Sequence, residues 1–527
     1  MYNPTVSRLW SQYRTLWLLL LNSLFVVFVT VFCSSHFETN DDVVMAWIAS
    51  GQYSGTPDAH LVFINILYGY VVAALYRLMP GFEWYTCMFA IAHIVSLTII
   101  GGQILDSKLH RYSRMAAMLL CYVIEVWALL LLQFTTTAAL LATASLSLVM
   151  TSQTPWQRVA GVLIFVWAAL VRFKAAMLVG VVFACYYPWS VYVYGFNWRR
   201  LATLAVCVVS GVAVQYIHFK SYFNDSRWAY YYEYNINRGK INDNPNAGAV
   251  REKLPPQVRL ADYILLCNFF ADTDVTDLKD LQDINEVMDQ VSLRQKINNW
   301  QKLKNLWNQF KWLIVITLVV MVATAVALRE KWWLAFVPIA GCMLVVLLIA
   351  LNGAVKIRIF YTILLAVYVF MSQLHKPVVK YVSPVLLALC MVGFVKAEST
   401  FDYHNGFVIA RYERNLMRDL PDDVTLCGWS AIIKSEYVNP WQVSSYFPMQ
   451  IKGKGWLASS PFNDDIAAYT DFIGTNNAVF ILNSQADKAI KLLTASIRQN
   501  YHKDVEPNWL MQSRFFSVFN FKEKVSE

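Results

Sequence analysis

Long apolar runs separated by short polar turns dominate the chain. Runs of spanning length fall near 16–34, 61–79, 85–105, 115–132, 135–150, 159–172, 174–195, 200–217, 311–328, 332–351, 359–374 and 381–396. About 20 apolar residues cover the hydrocarbon core of a bilayer as a helix, and tilt accommodates shorter runs. Two longer polar regions, 218–310 and 397–527, interrupt the pattern. Within the second, Val424–Trp429 and Asn477–Leu482 have strand character and 484–499 has a helical period, so it reads as a small α/β domain. The pattern therefore predicts a polytopic α-helical membrane protein. Its expected divisions are a first membrane module over 1–217, a large outer loop over 218–310, further membrane helices over 311–396 and a C-terminal α/β domain over 397–527. No internal repeat or low-complexity segment appears.

Composition agrees. Hydrophobic residues make up 57% of the chain and charged residues only 15%, with a mean hydropathy of +0.40. This excludes an ordinary soluble domain. The net charge of +9 sits mostly in the short turns, where it encodes topology rather than nucleic-acid binding. Arg8 and Arg14 precede the first run, which reads as a signal-anchor with its N-terminus in the cytoplasm. The basic turns at Lys108/Arg111/Arg114, Arg158, Arg199/Arg200, Arg329/Lys331 and Lys376/Lys380 all share that side only if 61–105 crosses the membrane once. That parity gives about eleven transmembrane helices rather than twelve. The run 61–79 is then the one that lies in the interface plane, since it carries Asn65, Gly69, Arg77 and the tyrosines Tyr68, Tyr70 and Tyr76. The competing hairpin of two spans would put Lys108, Arg111 and Arg114 outside. The cysteines fall mostly inside apolar runs with no CxxC spacing and read as small core residues. Cys267 and Cys427 lie in the polar regions, either as free thiols or as a pair.

The candidate chemistry clusters at the outer boundary. Asp41 and Asp42 emerge just past the first run, where carboxylates are costly unless solvated, paired or used. Asn40 and Asp41 also suit the cap of a helix starting at Val43, and capping is compatible with catalysis. Arg172 and Lys174 interrupt two apolar runs at one outward hairpin, and Lys356 and Arg358 lie at another. Two basic hairpins near an acidic pair suggest a clamp for a phosphate at membrane depth. The alternative is that they snorkel to head groups or pair with buried carboxylates such as Glu125. Trp228, Tyr230 and Tyr231 open the large loop with faces suited to sugar stacking, or to anchoring a helix at the interface. The acidic stretch 271–277 reads as a solvated helix start, because it lacks the Gly and distal Glu of a calcium loop. The loop from Gly455 to Asp465 either folds back over the site or forms a surface turn.

With these pieces in place, the first 200 residues resemble the GT-C superfamily of glycosyltransferases. They are most similar to the bacterial aminoarabinose lipid transferases and the protein mannosyltransferase-like enzymes. The resemblance rests on Asp41-Asp42 followed by the helix Val43–Ile48, on Ser50–His60 leading into the helix 61–79, and on the boundary Leu75-Tyr76-Arg77-Leu78 to Glu83-Trp84. It continues with the helix pair broken at Arg172 and Lys174, and with Arg358 and Tyr361 opening a late span. This chain has Asp-Asp where the family usually has Asp-Glu, and Pro57-Asp58-Ala59-His60 where the family has a Lys- or His-Pro-Pro element. The resemblance implies a GT-C-like bundle with interfacial helices in the first outer loop, in a bacterial plasma (inner) membrane. It implies inverting transfer of a sugar from a polyprenyl-phosphate donor to a lipid, glycan or protein acceptor on the outer face, with membrane lipids as partners. Asp41 would then be the base, and Asp42 would orient it or hold a divalent cation such as Mg or Mn. Arg172, Lys174, Lys356 and Arg358 would meet the donor phosphate, and His60 the phosphate or sugar. A polymerase or ligase of lipid-linked polysaccharide would use a similar clamp. A flippase or transporter belongs to another class, and the missing repeat speaks against it.

Overall fold

The computed structural model describes residues 4–33, 35–107, 111–244, 247–294, 304, 341, 357–372, 418–421, 423–429, 438–444, 450–514 and 516–524. Lys356 and, apart from residue 341, the runs at 311–328, 332–351 and 381–396 lie outside the described residues.

Among the described residues, five helices are long and apolar enough to cross a membrane. Four are α1 (Pro4–Val27, extended by a π turn to Phe32), α4 (Trp84–Asp106), α6 (Phe134–Thr151) and α8 (Trp198–Phe223), and the fifth is the 40-residue α7 (Pro155–Tyr194). Between them lie α2 (Asn40–Ser50), α3 (Ile66–Leu78) and α5 (Arg111–Leu130).

Contacts at the helix ends fix the path of the chain. Arg14 pairs with Asp106, so the start of α1 and the end of α4 share one face. At the other face, β1 (His36–Phe37) pairs in parallel with β2 (Leu131–Leu132), which brings the start of α6 onto α2. Helix α7 opens with a capping box at Thr154 and Gln157 and Pro155 in its first turn, a strong start signal. The Arg200 guanidinium at the start of α8 donates to the Ser152 carbonyl, 3.2 Å away, beside the start of α7. A straight helix of 40 residues would part those ends by roughly 60 Å. The chain therefore reverses within α7, at Arg172, whose φ of −158° and ψ of 97° are extended. Arms of 155–171 and 173–194 descend from this bend, and the second packs Phe183 and Tyr186 on Phe370 of α12 (Ile357–Ser372).

Helix α3 begins and ends at the acidic face. Asn65 at its start donates to the Val214 carbonyl at 2.9 Å, while Arg77 near its end donates to the Pro57 carbonyl at 2.5 Å. It crosses close under the loop before it: a Cβ on Gly69 would meet the Ala59 oxygen at 2.1 Å. That approach excludes any side chain at position 69.

Beyond α8, the helices α9 (Ser226–Asn242), α10 (Leu260–Cys267) and α11 (Leu278–Arg294) precede a five-stranded sheet. Its strands are β3 (Thr425–Gly428), β4 (Ile451–Gly453), β5 (Asn477–Leu482), β6 (Val505–Gln512) and β7 (Phe516–Glu523), in the order β4-β3-β5-β7-β6. The first three are parallel; β7 and β6 run antiparallel. Helix α13 (Asn483–Tyr501) covers the sheet with Ala489, Leu493 and Ile497. Cys267 and Cys427 are free thiols. The acidic stretch 271–277 is not a solvated helix start. Asp272 is buried and accepts from the backbone N–H groups of Asp274, Val275 and Tyr469 and from the Tyr501 hydroxyl, which pins this loop to the sheet domain. A buried carboxylate survives there because donors surround it.

Candidate active site

The acidic pair does not cap its own helix. Helix α2 starts at Asn40 with Thr39 as its cap residue, so Asp41 and Asp42 lie in its first turn and point in different directions. Asp42 is fully buried. Its Oδ1 accepts from the Tyr85 hydroxyl at 2.9 Å and from the Phe134 backbone N–H at 3.2 Å, and its Oδ2 faces the Thr39 hydroxyl at 3.4 Å. Phe134 is the first residue of α6, so Asp42 caps that neighbouring helix, where a negative charge suits the dipole. Burial pushes the Asp42 carboxyl well above its ordinary pKa, with Tyr85 and the Phe134 N–H opposing and the charges of Asp41 and Glu38 adding to the rise.

Both Asp42 oxygens meet protein donors, and among the described residues no group of three or more His, Cys, Asp or Glu is placed to hold a metal.

Asp41 remains partly exposed. It lies near enough to two guanidinium groups, Arg172 and Arg238, for its charge to act on both. Arg172 sits at the bend of α7. Its Nη1 donates to the Phe63 carbonyl at 2.8 Å, and its guanidinium lies over the Phe63 and Phe134 rings at 5.5 and 5.1 Å. Arg358, at the start of α12, is also near enough for its charge to act on Arg172. Lys174, two residues past the bend, is solvent-exposed. Like charges brought together near hydrocarbon repel one another and favour an anion.

Arg238 is the residue that the sequence reading missed. It is buried on α9, with its guanidinium bonded to Asn235 and Asn242 side chains at 2.7 to 3.2 Å. Burial lowers its pKa, and the charges of Tyr231, Tyr234, Asp243 and Asp41 oppose that fall. Trp228, Tyr231, Asn235 and Arg238 follow the helical spacing i, i+3, i+7, i+10, so extending the aromatic face by one more turn would have found it.

The aromatic residues divide accordingly. Trp228 stacks on His60 with ring centroids 4.1 Å apart and 6° between planes, and Tyr231 is buried beneath it. Tyr230 points away, towards Tyr234, and is not part of the site. The His60 Nδ1 lies 2.7 Å from Asp58 Oδ1, and the His60 backbone N–H donates to the same oxygen at 2.8 Å. Burial would raise the Asp58 pKa, but these His60 contacts outweigh it and hold the carboxyl below its usual value. Glu125, the buried carboxylate considered as a partner for the basic hairpins, instead pairs with His93.

The loop after β4 is no surface turn. Trp456 packs on Phe63 at 4.8 Å, Phe462 packs on Trp228 at 5.1 Å, and Arg227 pairs with Asp464. Tyr53 anchors the same loop, its hydroxyl donating to Asn463 Oδ1 at 3.0 Å. The sheet domain thus forms a roof over the residues around Arg172 and His60.

No protein-family model matches the chain, and no curated protein does. Two crystal structures of ArnT from Cupriavidus metallidurans are similar to it over nearly its whole length. The form bound to undecaprenyl phosphate has 12% identity and a TM-score of 0.42, covering 96% of this chain and 98% of that one. The apo form has 11% identity and a TM-score of 0.41, covering 97% and 98%. The functional reading rests on the site's own residues.

Proposed function

We propose that the protein is a membrane glycosyltransferase. It moves a sugar from a polyprenyl-phosphate donor to a lipid, glycan or protein acceptor at the face that carries Asp41. One observation carries the reading: a partly exposed carboxylate lies near enough to two guanidinium groups from separate elements for its charge to act on both, beside helices of spanning length. Arg172 and Arg238 would bring guanidinium charge to the donor phosphate, with Arg358 adding to it.

The chemistry follows. The acceptor hydroxyl attacks the anomeric carbon as the bond from that carbon to the phosphate oxygen breaks. The leaving phosphate gains negative charge, which fixed guanidinium groups stabilise without reorganising. The hydroxyl proton passes to Asp41, acting as the base. Attack opposite the leaving group inverts the anomeric centre. Asp42 holds the start of α6 in place and so keeps the first turn of α2 rigid beside the clamp. His60, stacked on Trp228 and held by Asp58, offers a polar edge to the sugar.

The test uses full-length protein in membranes that contain the native acceptor, with a radiolabelled polyprenyl-phosphate sugar. Label leaves the donor with wild type. Asp41→Asn keeps its protein level and its retention of donor, but loses transfer by roughly a hundredfold or more. Full turnover in that variant would overturn the base assignment.

A further inference from the structure

A cavity of 310 Å³ lies apart from the residues around Arg172, between the first outer loop and the segment 438–444. Pro80, Gly81, Phe82 and Trp441 line it together with the polar residues Ser50, Gln52, Glu83 and Ser444. Its walls are fixed. Ser444 donates to Glu83 Oε1 through its backbone N–H at 2.9 Å and its hydroxyl at 2.6 Å, while the Tyr76 hydroxyl donates to Oε2 at 3.1 Å. The Trp47 indole N–H donates to the Val443 carbonyl at 2.8 Å, and the Thr86 hydroxyl to the Pro440 carbonyl at 2.5 Å. These bonds clamp 440–444 onto α2 and α4, so the cavity is built by secondary contacts rather than left by loose packing.

Its location is specific. Glu83 directly precedes α4, whose first residue, Trp84, marks the entry of a spanning helix. The adjoining turn exposes apolar side chains, with Leu78 82% and Met79 48% exposed beside Phe82. A turn of this kind belongs in the head-group layer of a bilayer. The mouth of the cavity therefore opens where lipid head groups lie.

Its lining selects a chemistry. The Phe82 and Trp441 rings lie 6.5 Å apart at 63°. The polar groups of the lining are hydroxyls, a carboxamide and a carboxyl, and among the described residues no Lys or Arg lines the cavity. Trp441 also keeps its indole N–H without a hydrogen-bond partner among the described residues. Burial raises the Glu83 carboxyl above its ordinary pKa, with the Ser444 and Tyr76 donors opposing. Aromatic rings together with neutral and acidic polar groups suit the apolar face and hydroxyl rim of a sugar ring. Among the described residues a phosphate there would meet a carboxyl and no cation.

We propose that this cavity is a second saccharide site, separate from the transfer site, which takes the uncharged sugar head of a glycolipid in the surrounding leaflet. It is independent of the reading of Asp41 and Arg172, none of whose groups line it.

Gly81 gives a clean test, because a Cβ built there meets nothing within 4 Å. Gly81→Phe should fill the mouth without disturbing the fold. The full chain is placed in nanodiscs holding monoglucosyl diacylglycerol and phosphatidylglycerol in equal amounts, and retained lipid is counted by native mass spectrometry. Wild type should retain the glucolipid roughly tenfold over the phospholipid, and Gly81→Phe and Phe82→Ala should each remove most of that preference at unchanged melting temperature. Competition by free methyl glucoside would show that the sugar alone is read. Lack of competition with glucolipid still retained would show that the lipid anchor contributes, which also supports the site. Equal retention of both lipids by wild type, or a preference that survives Gly81→Phe, would overturn it.

Discussion

Removing one hydroxyl, by Tyr85→Phe, tests how Asp42 is held. That hydroxyl donates to Asp42 Oδ1 at 2.9 Å in a fully buried setting, and the Phe134 N–H at 3.2 Å is the only other donor to the same oxygen in the site described. A hydrogen bond to a charged group is worth about 1.5–3 kcal/mol and one to a neutral group about 0.5–1.5 kcal/mol. The difference, roughly 1–1.5 kcal/mol, corresponds to a further rise of about one unit in a pKa that burial already raises. A carboxyl whose folded pKa lies above its unfolded value contributes stability that is complete below the unfolded value and is lost as pH rises through the folded one. Tyr85→Phe extends that loss, so the stability gap from wild type should widen with rising pH. The assay is unfolding of detergent-solubilised full-length protein from about pH 4 to pH 9, with Asp42→Asn and the double variant alongside. In the Asp42→Asn background the Tyr85→Phe gap should become flat with pH. A gap that is the same at every pH in the Asp42 background would refute the claim that Tyr85 supports the charged form.

Arg238→Met should weaken retention of a polyprenyl phosphate about tenfold to a hundredfold, from the loss of charge-assisted bonds; Arg238→Lys should recover part of it, and unchanged retention in the Met variant would remove Arg238 from the clamp. Gly69→Ala should cost on the order of 1–3 kcal/mol in unfolding free energy, since its Cβ would meet the Ala59 oxygen at 2.1 Å; a neutral result would mean that α3 and the loop before it can part easily. For topology, a cysteine at the exposed Thr56 should react with an impermeant thiol reagent added outside intact cells, whereas one at Trp156, which is 81% exposed at the opposite face, should react only after permeabilisation; the reverse order would invert the orientation.

Much of the membrane half was legible because its signals are local. A break at Arg172 and an interrupted run at 61–79 each report on a few adjacent residues. The end contacts Arg14–Asp106 and Arg200–Ser152 then join those pieces without any long-range signal in the sequence. The split between Asp41 and Asp42 was not legible. It depends on Tyr85 and Phe134 arriving from distant elements, and adjacent identical side chains give no hint of which one turns inward. Arg238 escaped for a different reason: one basic residue in a polar loop looks like a solvated charge until its helical face is followed from Trp228. The roof contributed by Trp456 and Phe462 needed the sheet domain's docking, and docking is fixed by partners such as Tyr53 and Asn463 lying 410 residues apart.

Those separations have a consequence for biosynthesis. Asp42 enters the membrane boundary 43 residues before Tyr85 is made and 92 residues before Phe134. Trp47 waits 396 residues for the Val443 carbonyl. Until Phe134 is made, Asp42 lacks the donors that hold it in the folded protein, and until Val443 is made, α2 lacks its bond to the segment 440–444. Chain ends synthesised last therefore act as the final latch on the chemistry synthesised first. Chains terminated before that segment should insert as helices yet lack the assembled site.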